Sequence, residues 1–320
     1  MLRSFLIYLS KARWAQRLVM GWGFAWRAAS RFIAGTKIEE AVAVIRELNA
    51  RGINVTLDHL GEHTSTAQEA SEATTAIIRT LAAIKKSGLC ANVSIKLTQI
   101  GLGLDENVCR QNLERILAKA KEYGNFVRID MEDTPYTDLT IGLYRQMRRK
   151  GYQNAGIALQ SYLYRTEADV RQLLEGRTPI RLVKGAYQEP ADKAFPRKPD
   201  VDANFDLLTK VMMDTALKIK TRVPRADGCV PPIPAIGTHD EKRIDFATQY
   251  ASKIGLPRSA FEFQMLYGIR RDLQENLRQK GYSVRVYVPF GRDWYPYCTR
   301  RLRENPEVAR HIIKAMFGMR

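Results

Sequence analysis

An alternation of short apolar segments with longer charged segments constrains the fold of this chain most. Past residue 50, eight apolar runs recur, and each is followed by a stretch with helical spacing. Strands separated by helices predict parallel βαβ units, and eight such units close naturally into a barrel with the helices outside. The runs are INVTL (53–57), NVSIKL (92–97), FVRID (126–130), GIALQ (156–160), IRLVK (180–184), PAIGT (234–238), FEFQML (261–266) and VRVYV (284–288). We predict an α/β fold, a TIM-like (βα)8 barrel, with an open doubly wound sheet as the alternative.

The length fits one such barrel preceded by a shorter segment. Barrels of this kind reach 320 residues as a single unit. We predict that residues 51–320 form the barrel domain, including a C-terminal helix, and that residues 1–50 form an N-terminal helical arm. A Gly/Pro-rich stretch, VPRADGCVPPIP, ends at Pro234 and is typical of a loop entering the sixth strand.

The first 35 residues are basic and amphipathic. Six Lys and Arg residues and no acid are interleaved there with Leu, Phe, Trp and Met. This composition is typical of a helix lying on a membrane surface, and an organelle transit peptide has a similar one. Helices that pack on the outside of the barrel are the third alternative.

The chain carries an excess of positive charge. Its 51 Lys and Arg against 34 Asp and Glu give a net charge of +17, which attracts nucleic acid, anionic lipid head groups or acidic substrates. The sequence has no uninterrupted run of 18 apolar residues, so we predict no transmembrane helix. The four cysteines show neither CxxC nor Cys/His ligand spacing, so we predict neither a disulfide framework nor a metal site.

Polar residues recur where the predicted strands end. In barrels of this type the loops after the strands build the active site. Asp58, His59 and Glu62 follow the first strand, Lys96 ends the second, Asp130 and Glu132 end the third, Gln160 ends the fourth, Arg181 and Lys184 lie in the fifth, Thr238 and His239 end the sixth, and Tyr287 lies in the eighth. A cation in an apolar strand needs a partner. Lys96 and Lys184 therefore point either to an anionic ligand or to internal salt bridges between strands.

The stretch YPYCTRRLRENP, residues 295–306, places several polar groups on one predicted helix. Residues three and four apart share a helix face, so Tyr297, Arg300, Arg301 and Glu304 project from one side. Such a cluster either forms a solvated surface or binds an anion. Together with the strand cations, the arginine pair favours a site.

Seven ordered motifs resemble the proline dehydrogenase family, particularly its short monofunctional bacterial members. The motifs are VSIKL, RIDMED, RLVKGAY, THD, FEFQMLYG, VRVYVPFG and YxxRRxxE, and the match as a whole runs from about residue 32 to residue 308. The resemblance implies a distorted (βα)8 barrel that holds FAD at its C-terminal face. A Rossmann site is not supported, because GLGL at 101–104 lacks the third glycine of the dinucleotide fingerprint.

The resemblance also implies an activity. The family oxidises L-proline to Δ1-pyrroline-5-carboxylate, the first step of proline catabolism, with hydride passing to the flavin N5 and electrons then to a membrane quinone. It implies a cytoplasmic protein peripheral to the inner face of the membrane, mitochondrial in a eukaryote. An anionic membrane surface and a downstream pyrroline-5-carboxylate dehydrogenase are the expected partners, and nucleic acid is not.

By the same resemblance, specific residues acquire roles. Lys96, Arg300 and Arg301 would hold the substrate carboxylate, Tyr297 and Glu304 would orient the arginines, and Tyr287 and Leu266 would contact the proline ring. Arg181 would face the flavin N5, and Gln160 and Asp130 its pyrimidine edge. Lys184, Thr238 and His239 would contact the ribityl, pyrophosphate or adenosine parts, and Met131, Val183, Gly185, Ala186 and Tyr187 complete the implied cofactor site.

Two hypotheses from other functional classes remain open at this point. A cationic barrel with lysines in its strands is also typical of a Schiff-base aldolase, in which Lys96 or Lys184 would be the nucleophile. The net charge alone is compatible with a basic nucleic-acid-binding protein, although the sequence has no RRM, helix-turn-helix or zinc-finger motif.

Overall fold

The computed structural model describes residues 26, 29–219 and 228–304, with no side-chain description for 302–304. In chain order the elements are α1 (Ile38–Ala50), β1 (Asn54–His59), α2 (Ala67–Ser87), β2 (Ala91–Ile95), α3 (Glu106–Glu122), β3 (Val127–Ile129), α4 (Thr134–Arg149), β4 (Ala155–Gln160), α5 (Thr166–Glu175), β5 (Ile180–Val183), α6 (Lys198–Lys218), β6 (Ala235–Gly237), α7 (Glu241–Ile254), β7 (Glu262–Leu266), α8 (Arg271–Gln279), β8 (Ser283–Phe290) and α9 (Trp294–Glu304). Short 3-10 turns occur at Thr98–Ile100 and Arg258–Ala260.

The eight strands form one closed parallel barrel in sequence order. Each strand pairs with the next, and β1 closes the barrel by pairing with β8 in a register that sets Thr56 beside Tyr287. The predicted (βα)8 barrel is therefore confirmed, and the open doubly wound sheet is wrong. All eight predicted strands are present, with boundaries that differ by a few residues.

Side chains alternate between the two faces of each strand. In β1, Val55 and Leu57 are fully buried and belong to the apolar core between the strands and the surrounding helices. Thr56 and Asp58, also buried, lie on the opposite face, inside the barrel. The inward rows of β2, β3, β7 and β8 also carry buried polar or charged residues, including Asn92, Arg128, Glu262 and Arg285. Since hydrogen bonds cross the interior from β8 to the end of β3, this interior is a packed polar layer.

The N-terminal end of the barrel is closed by a buried ion pair. Arg285 Nε lies 2.8 Å from Glu262 Oε1, and the two side chains are 1% and 0% exposed. The Arg285 guanidinium also donates to the carbonyl oxygens of Val55, at 2.9 Å, and Gly228, at 2.8 Å. Gly228 belongs to the Gly/Pro-rich stretch, whose described part, 228–234, is the irregular loop expected before β6. This loop therefore lies across the end of the barrel.

Part of the predicted N-terminal arm packs on the barrel. Helix α1 buries Ala41 and Ile45 in the main core, and Phe32 and Ile33 pack in a smaller cluster with Trp294 of α9. Residues 1–25, 27 and 28 lie outside the described residues, so the predicted basic helix remains a prediction. Across the described ranges, none of the helices combines the length and apolarity that crossing a membrane requires.

The Arg285–Glu262 pair yields a stability prediction. Replacing Glu262 by alanine leaves a buried guanidinium without its counter-charge, and breaking a buried pair in this way costs about 3–5 kcal/mol. We expect Glu262→Ala to lower the free energy of unfolding by about that amount, measured by urea denaturation.

The matched control is Glu275→Ala. Glu275 also pairs with an arginine, Arg278, at 2.5 Å, but at the surface of α8, where solvent screens the interaction. Its loss should have a much smaller effect. Equal effects of the two substitutions would show that the buried pair does not stabilise the barrel.

Candidate active site

The candidate site lies at the C-terminal end of the barrel, around the buried carboxylate of Asp130. This residue follows β3, and three side chains from other strands converge on it. Ser94 Oγ donates to Asp130 Oδ1 at 2.6 Å, Tyr287 Oη donates to Oδ2 at 2.8 Å, and Arg181 forms an ion pair with it. Burial alone would raise the pKa of Asp130, but the charges of Arg181 and Lys96 outweigh that effect and lower it. Asp130 is therefore ionised and fixed.

Arg181 and Tyr287 pack against one another above this carboxylate. The Arg181 guanidinium carbon lies 5.3 Å from the centre of the Tyr287 ring, within the range of a cation–π contact. Burial and the neighbouring acids Asp130 and Asp58 raise the pKa of Tyr287 well above its ordinary value. The phenol is therefore neutral, donates its proton to Asp130, and presents a ring of fixed orientation.

Lys96 is a buried ammonium paired with acids. Its Nζ lies 3.2 Å from Asp58 Oδ2 and 4.0 Å from Glu62 Oε1. Burial would lower the pKa of Lys96, but the charges of Asp58, Glu62 and Asp130 raise it above its ordinary value. The amine is therefore protonated at neutral pH. A Schiff-base nucleophile needs the free amine, so this environment disfavours the aldolase hypothesis at Lys96.

Glu62 links the lysine to the arginine pair of α9. The Arg300 guanidinium binds its carboxylate bidentately, with Nη1 2.8 Å from Oε2 and Nη2 2.5 Å from Oε1. Burial would raise the pKa of Glu62, but the hydrogen bonds and charge of Arg300, with Lys96, lower it to about 2. The Tyr187 ring faces the same guanidinium, its centre 5.8 Å from Cζ. One carboxylate is thus bound by two cations at the mouth of the barrel.

Arg301, beside Arg300 on α9, has different neighbours. Its guanidinium carbon lies 5.4 Å from the centre of the buried Tyr297 ring. Its charge also contributes, after burial, to lowering the pKa of His239 to about 4. The two arginines are therefore held by different neighbouring groups. The side chain of Glu304 lies outside the described residues, so its predicted role is untested.

Gln160 Oε1 and Arg181 Nη1 are among the buried polar atoms that have no hydrogen-bond partner within the part of the chain that the structure describes. Gln160 uses its amide nitrogen to donate to the Met131 carbonyl at 3.4 Å, and Arg181 uses Nη2 for Asp130. A vacant acceptor and a vacant donor therefore lie where β4 and β5 end. Leaving such atoms unpaired is costly, so they favour a bound polar group there.

The segment after β5, residues 184–187, lies directly on another loop of the mouth. Gly185 has φ +120°, and a Cβ atom there would lie 2.4 Å from Cδ1 of Tyr162. Only glycine fits, since the Tyr162 ring covers the position where a side chain would be. The predicted cofactor residues Val183, Gly185, Ala186 and Tyr187 thus lie together beside Arg181.

Three other predicted cofactor residues form contacts with groups other than Asp130. Lys184 forms ion pairs with Asp202 of α6 and Asp240, the N-cap residue of α7, so its ammonium is already compensated and faces the helices. Thr238 Oγ1 accepts from the Asp240 amide at 3.1 Å. His239 is neutral, because its Nε2 accepts from the Leu266 amide at 2.8 Å. His239 thereby fixes the end of β7, where the predicted ring contact Leu266 lies.

Sequence reasoning gave no role to Glu62 or Asp58, although both were noted after the first strand. The only signal in the sequence was their position at a strand end. Their partners, Arg300 and Lys96, are distant in the chain, so no local pattern could assign the pairs. Asp202 is also unassigned by the sequence, since it reads as an ordinary polar position of a helix.

Comparison with known proteins identifies the family. A family model described as "Proline dehydrogenase" matches residues 41–313. Proline dehydrogenase 2 of Bacillus subtilis (strain 168) is 38% identical over 315 residues, 98% of each chain. Proline dehydrogenase of Deinococcus radiodurans is 42% identical over 295 residues, 91% of this chain and 90% of that protein.

A solved structure agrees with the fold. Proline utilization A (PutA) from Bdellovibrio bacteriovorus, inactivated by N-propargylglycine, is 27% identical with a TM-score of 0.78. The match covers 88% of this chain and 33% of that one, so this chain spans about a third of the length of that structure. The ordered motifs, the closed barrel and the near full-length relatives agree, and the chain belongs to the proline dehydrogenase family.

Proposed function

We propose that this protein oxidises L-proline to Δ1-pyrroline-5-carboxylate with FAD as its cofactor and a membrane quinone as the final electron acceptor. Membership of the proline dehydrogenase family supports the substrate and the reaction class. Proline offers a carboxylate, a secondary amine and an apolar ring. The residues at the barrel mouth have chemistry that matches the carboxylate and the ring.

One observation carries the proposal. The carboxylate of Glu62 is bound bidentately by Arg300 and lies 4.0 Å from Lys96 Nζ. The same two cations can therefore hold one carboxylate between them, and the planar guanidinium fork suits that group. We infer that the proline carboxylate displaces Glu62 from Arg300, with Arg301 adding a second guanidinium. While Glu62 is bound to Arg300 its pKa is about 2, so the group that proline would displace is a carboxylate like its own.

The vacant polar atoms fit a flavin. Gln160 Oε1 can accept from an imide N–H, and Arg181 Nη1 can donate to a ring nitrogen or oxygen. An isoalloxazine ring carries both kinds of group, and FAD supplies a two-electron acceptor for the hydride. Asp130 holds Arg181 in place, since its carboxylate binds the other terminal nitrogen. Gly185, Ala186 and Tyr187 would line the adjoining wall.

Tyr287 and Leu266 are suited to contact the proline ring. Tyr287 is held at both ends, by Asp130 at the hydroxyl and by the Arg181 guanidinium at the ring face. A ring held in this way can orient the substrate without losing side-chain entropy on binding. Leu266 adds an apolar contact at the end of β7. With the carboxylate held at one end and the ring at the other, the protein's contribution is orientation.

Electron transfer to a quinone would place the protein on a membrane. The net charge of +17 favours an anionic surface, because each Lys or Arg near such a surface contributes about 1 kcal/mol. We propose a peripheral location at the cytoplasmic face, with the basic first 35 residues as the contact. A pyrroline-5-carboxylate dehydrogenase would consume the product.

The cofactor assignment predicts a yellow protein whose flavin dissociates. The proposed flavin contacts are polar side chains, backbone groups and the wall formed by residues 183–187, so we expect no covalent link. The purified protein should show flavin absorption bands that bleach when proline is added without oxygen. After acid precipitation, the colour should be in the supernatant. Colour that remains in the pellet would contradict the dissociable cofactor, and a colourless protein that binds no added FAD would contradict the proposed function.

The carboxylate grip predicts the effect of removing either guanidinium. A charge-assisted hydrogen bond contributes roughly 1.5–3 kcal/mol, so Arg300→Met and Arg301→Met should each lower kcat/KM for proline by about 10- to 150-fold. Lysine at either position should restore only part of this loss, because an ammonium lacks the planar fork. A competitive carboxylate inhibitor should weaken in parallel with proline.

Arg149→Met is the matched control. Arg149 is exposed in the last turn of α4, away from the mouth, and its loss removes the same charge. It should leave kcat/KM within two-fold of the original value. If Arg300→Met and Arg301→Met retained FAD and behaved like the control, the arginine pair would not bind the substrate.

A further inference from the structure

The segment between β5 and α6, residues 184–197, is anchored to the loop after β4. The Tyr162 amide donates to the Lys184 carbonyl at 2.9 Å, and the Phe195 amide donates to the Tyr162 carbonyl at 2.8 Å. Leu163 and Ala194 form an antiparallel bridge. The two ends of the segment are thus held by backbone hydrogen bonds. Its middle, from Gly185 to Pro190, needs another attachment.

Glu189 supplies that attachment through its side chain. Its Oε1 accepts from the Thr134 amide at 2.8 Å, and its Oε2 accepts from the Thr134 hydroxyl. Thr134 is the first residue of α4, and the residue in the N-cap position, Asp133, makes no side-chain cap bond. A carboxylate at a helix N-terminus satisfies a free N–H and interacts favourably with the helix dipole. Glu189 therefore caps α4 from a distant loop.

The same carboxylate reaches back toward the mouth through Tyr162. The Tyr162 hydroxyl lies 3.5 Å from Glu189 Oε1 and also forms a hydrogen bond with the Tyr187 backbone. The Tyr162 ring covers Gly185. Glu189, Tyr162 and the segment 185–187 are thus joined in one network. Tyr187 in turn faces the Arg300 guanidinium.

We propose that Glu189 is a positioning residue that fastens the segment 185–187 to the N-terminus of α4. By doing so it fixes the residues that line the proposed flavin site, and it fixes the Tyr187 ring that faces Arg300. The expected effect of Glu189 on the binding of FAD and proline rests on the proposed function. The attachment itself depends only on the contacts of Glu189 with Thr134 and Tyr162. Glu189 touches neither the proposed substrate position nor the vacant atoms of Gln160 and Arg181, so it acts through the segment.

The test compares Glu189→Ala with Asp192→Ala. Asp192 lies in the same segment and carries the same charge, but its side chain is 70% exposed and lies only near Lys193, at 3.8 Å. Amide hydrogen exchange is measured by mass spectrometry on peptides covering 184–187 in the flavin-free protein. The FAD dissociation constant, and KM and kcat for proline at saturating FAD, are measured in the holoenzyme.

We expect Glu189→Ala to accelerate exchange at 185–187 and to raise the FAD dissociation constant about ten-fold, because the charge-assisted cap is lost. KM for proline should rise with saturating FAD, and kcat/KM should fall about 10- to 100-fold, as a misplaced active-site wall produces. Glu189→Gln keeps one oxygen for the Thr134 amide. Its exchange rate, FAD dissociation constant and kcat/KM should therefore lie between those of Glu189→Ala and the original protein. Asp192→Ala should match the original protein within two-fold.

Unchanged exchange at 185–187 in Glu189→Ala would overturn the proposal, as would FAD and proline constants within two-fold of the original. If Glu189→Ala fails to fold, the variant Tyr162→Phe tests the proposal instead. This substitution removes the hydroxyl that links Glu189 to the segment and keeps the ring against Gly185. It should accelerate the same exchange, and no acceleration would overturn the network. A protein that never binds FAD would contradict the proposed function alone, since the exchange measurement still decides the role of Glu189.

Discussion

Charge compensation inside the barrel is the constraint on which the rest of the structure depends. The interior of this (βα)8 barrel is closed to bulk water, and several of the side chains that lie in it form ion pairs. Arg285 pairs with Glu262 at one end, and Arg181 pairs with Asp130 near the other. Unpaired, any of these groups would destabilise the barrel by several kcal/mol. When they are paired, these groups hold side chains of different strands in fixed positions. The candidate site at the mouth continues the same network of ion pairs. The orientation of Tyr287 follows from the same carboxylate that compensates Arg181.

Much of the fold and part of the site follow from the sequence. The strands were predictable because buried parallel strands are short apolar runs between helical segments. Lys96 and Arg181 were predictable as buried polar residues at the C-terminal end of the barrel because each interrupts such a run. Lys184 shows the limit of that argument. Counting in steps of two from Arg181 puts Val183 on the inner face of β5 and Lys184 on the outer face, where Asp202 and Asp240 hold it. The alternation of side chains along β5 could therefore have placed Lys184 on the outer face. The presence of a cation near the end of a strand does not by itself show which face it occupies.

The remaining contacts depend on pairings that no local pattern contains. Arg300 and Glu62 are 238 residues apart in the chain, and Glu189 caps a helix that begins 55 residues earlier. The helix period correctly places polar groups along α9, but it does not tell which acid meets which arginine. The Arg300–Glu62 pairing is set by the closure of the barrel, which brings the loop after β1 next to the helix after β8. The Glu189–Thr134 pairing joins the segments that follow β5 and β3. The sequence thus indicates the kinds of groups at the mouth, and closure selects their partners.

Glu62 has a consequence for selectivity. It is a carboxylate tethered to the protein, so it is present at the arginine at an effective concentration far above that of most dissolved anions. Chloride, acetate or phosphate would have to displace the Glu62 carboxylate from Arg300 and would gain only the charge interaction. On the proposed function, an amino acid with an apolar ring would gain additional contacts at Tyr287 and Leu266. Glu62 would therefore make binding at Arg300 and Lys96 selective. Simple anions would not displace it, whereas a ligand that also fills the neighbouring apolar space would.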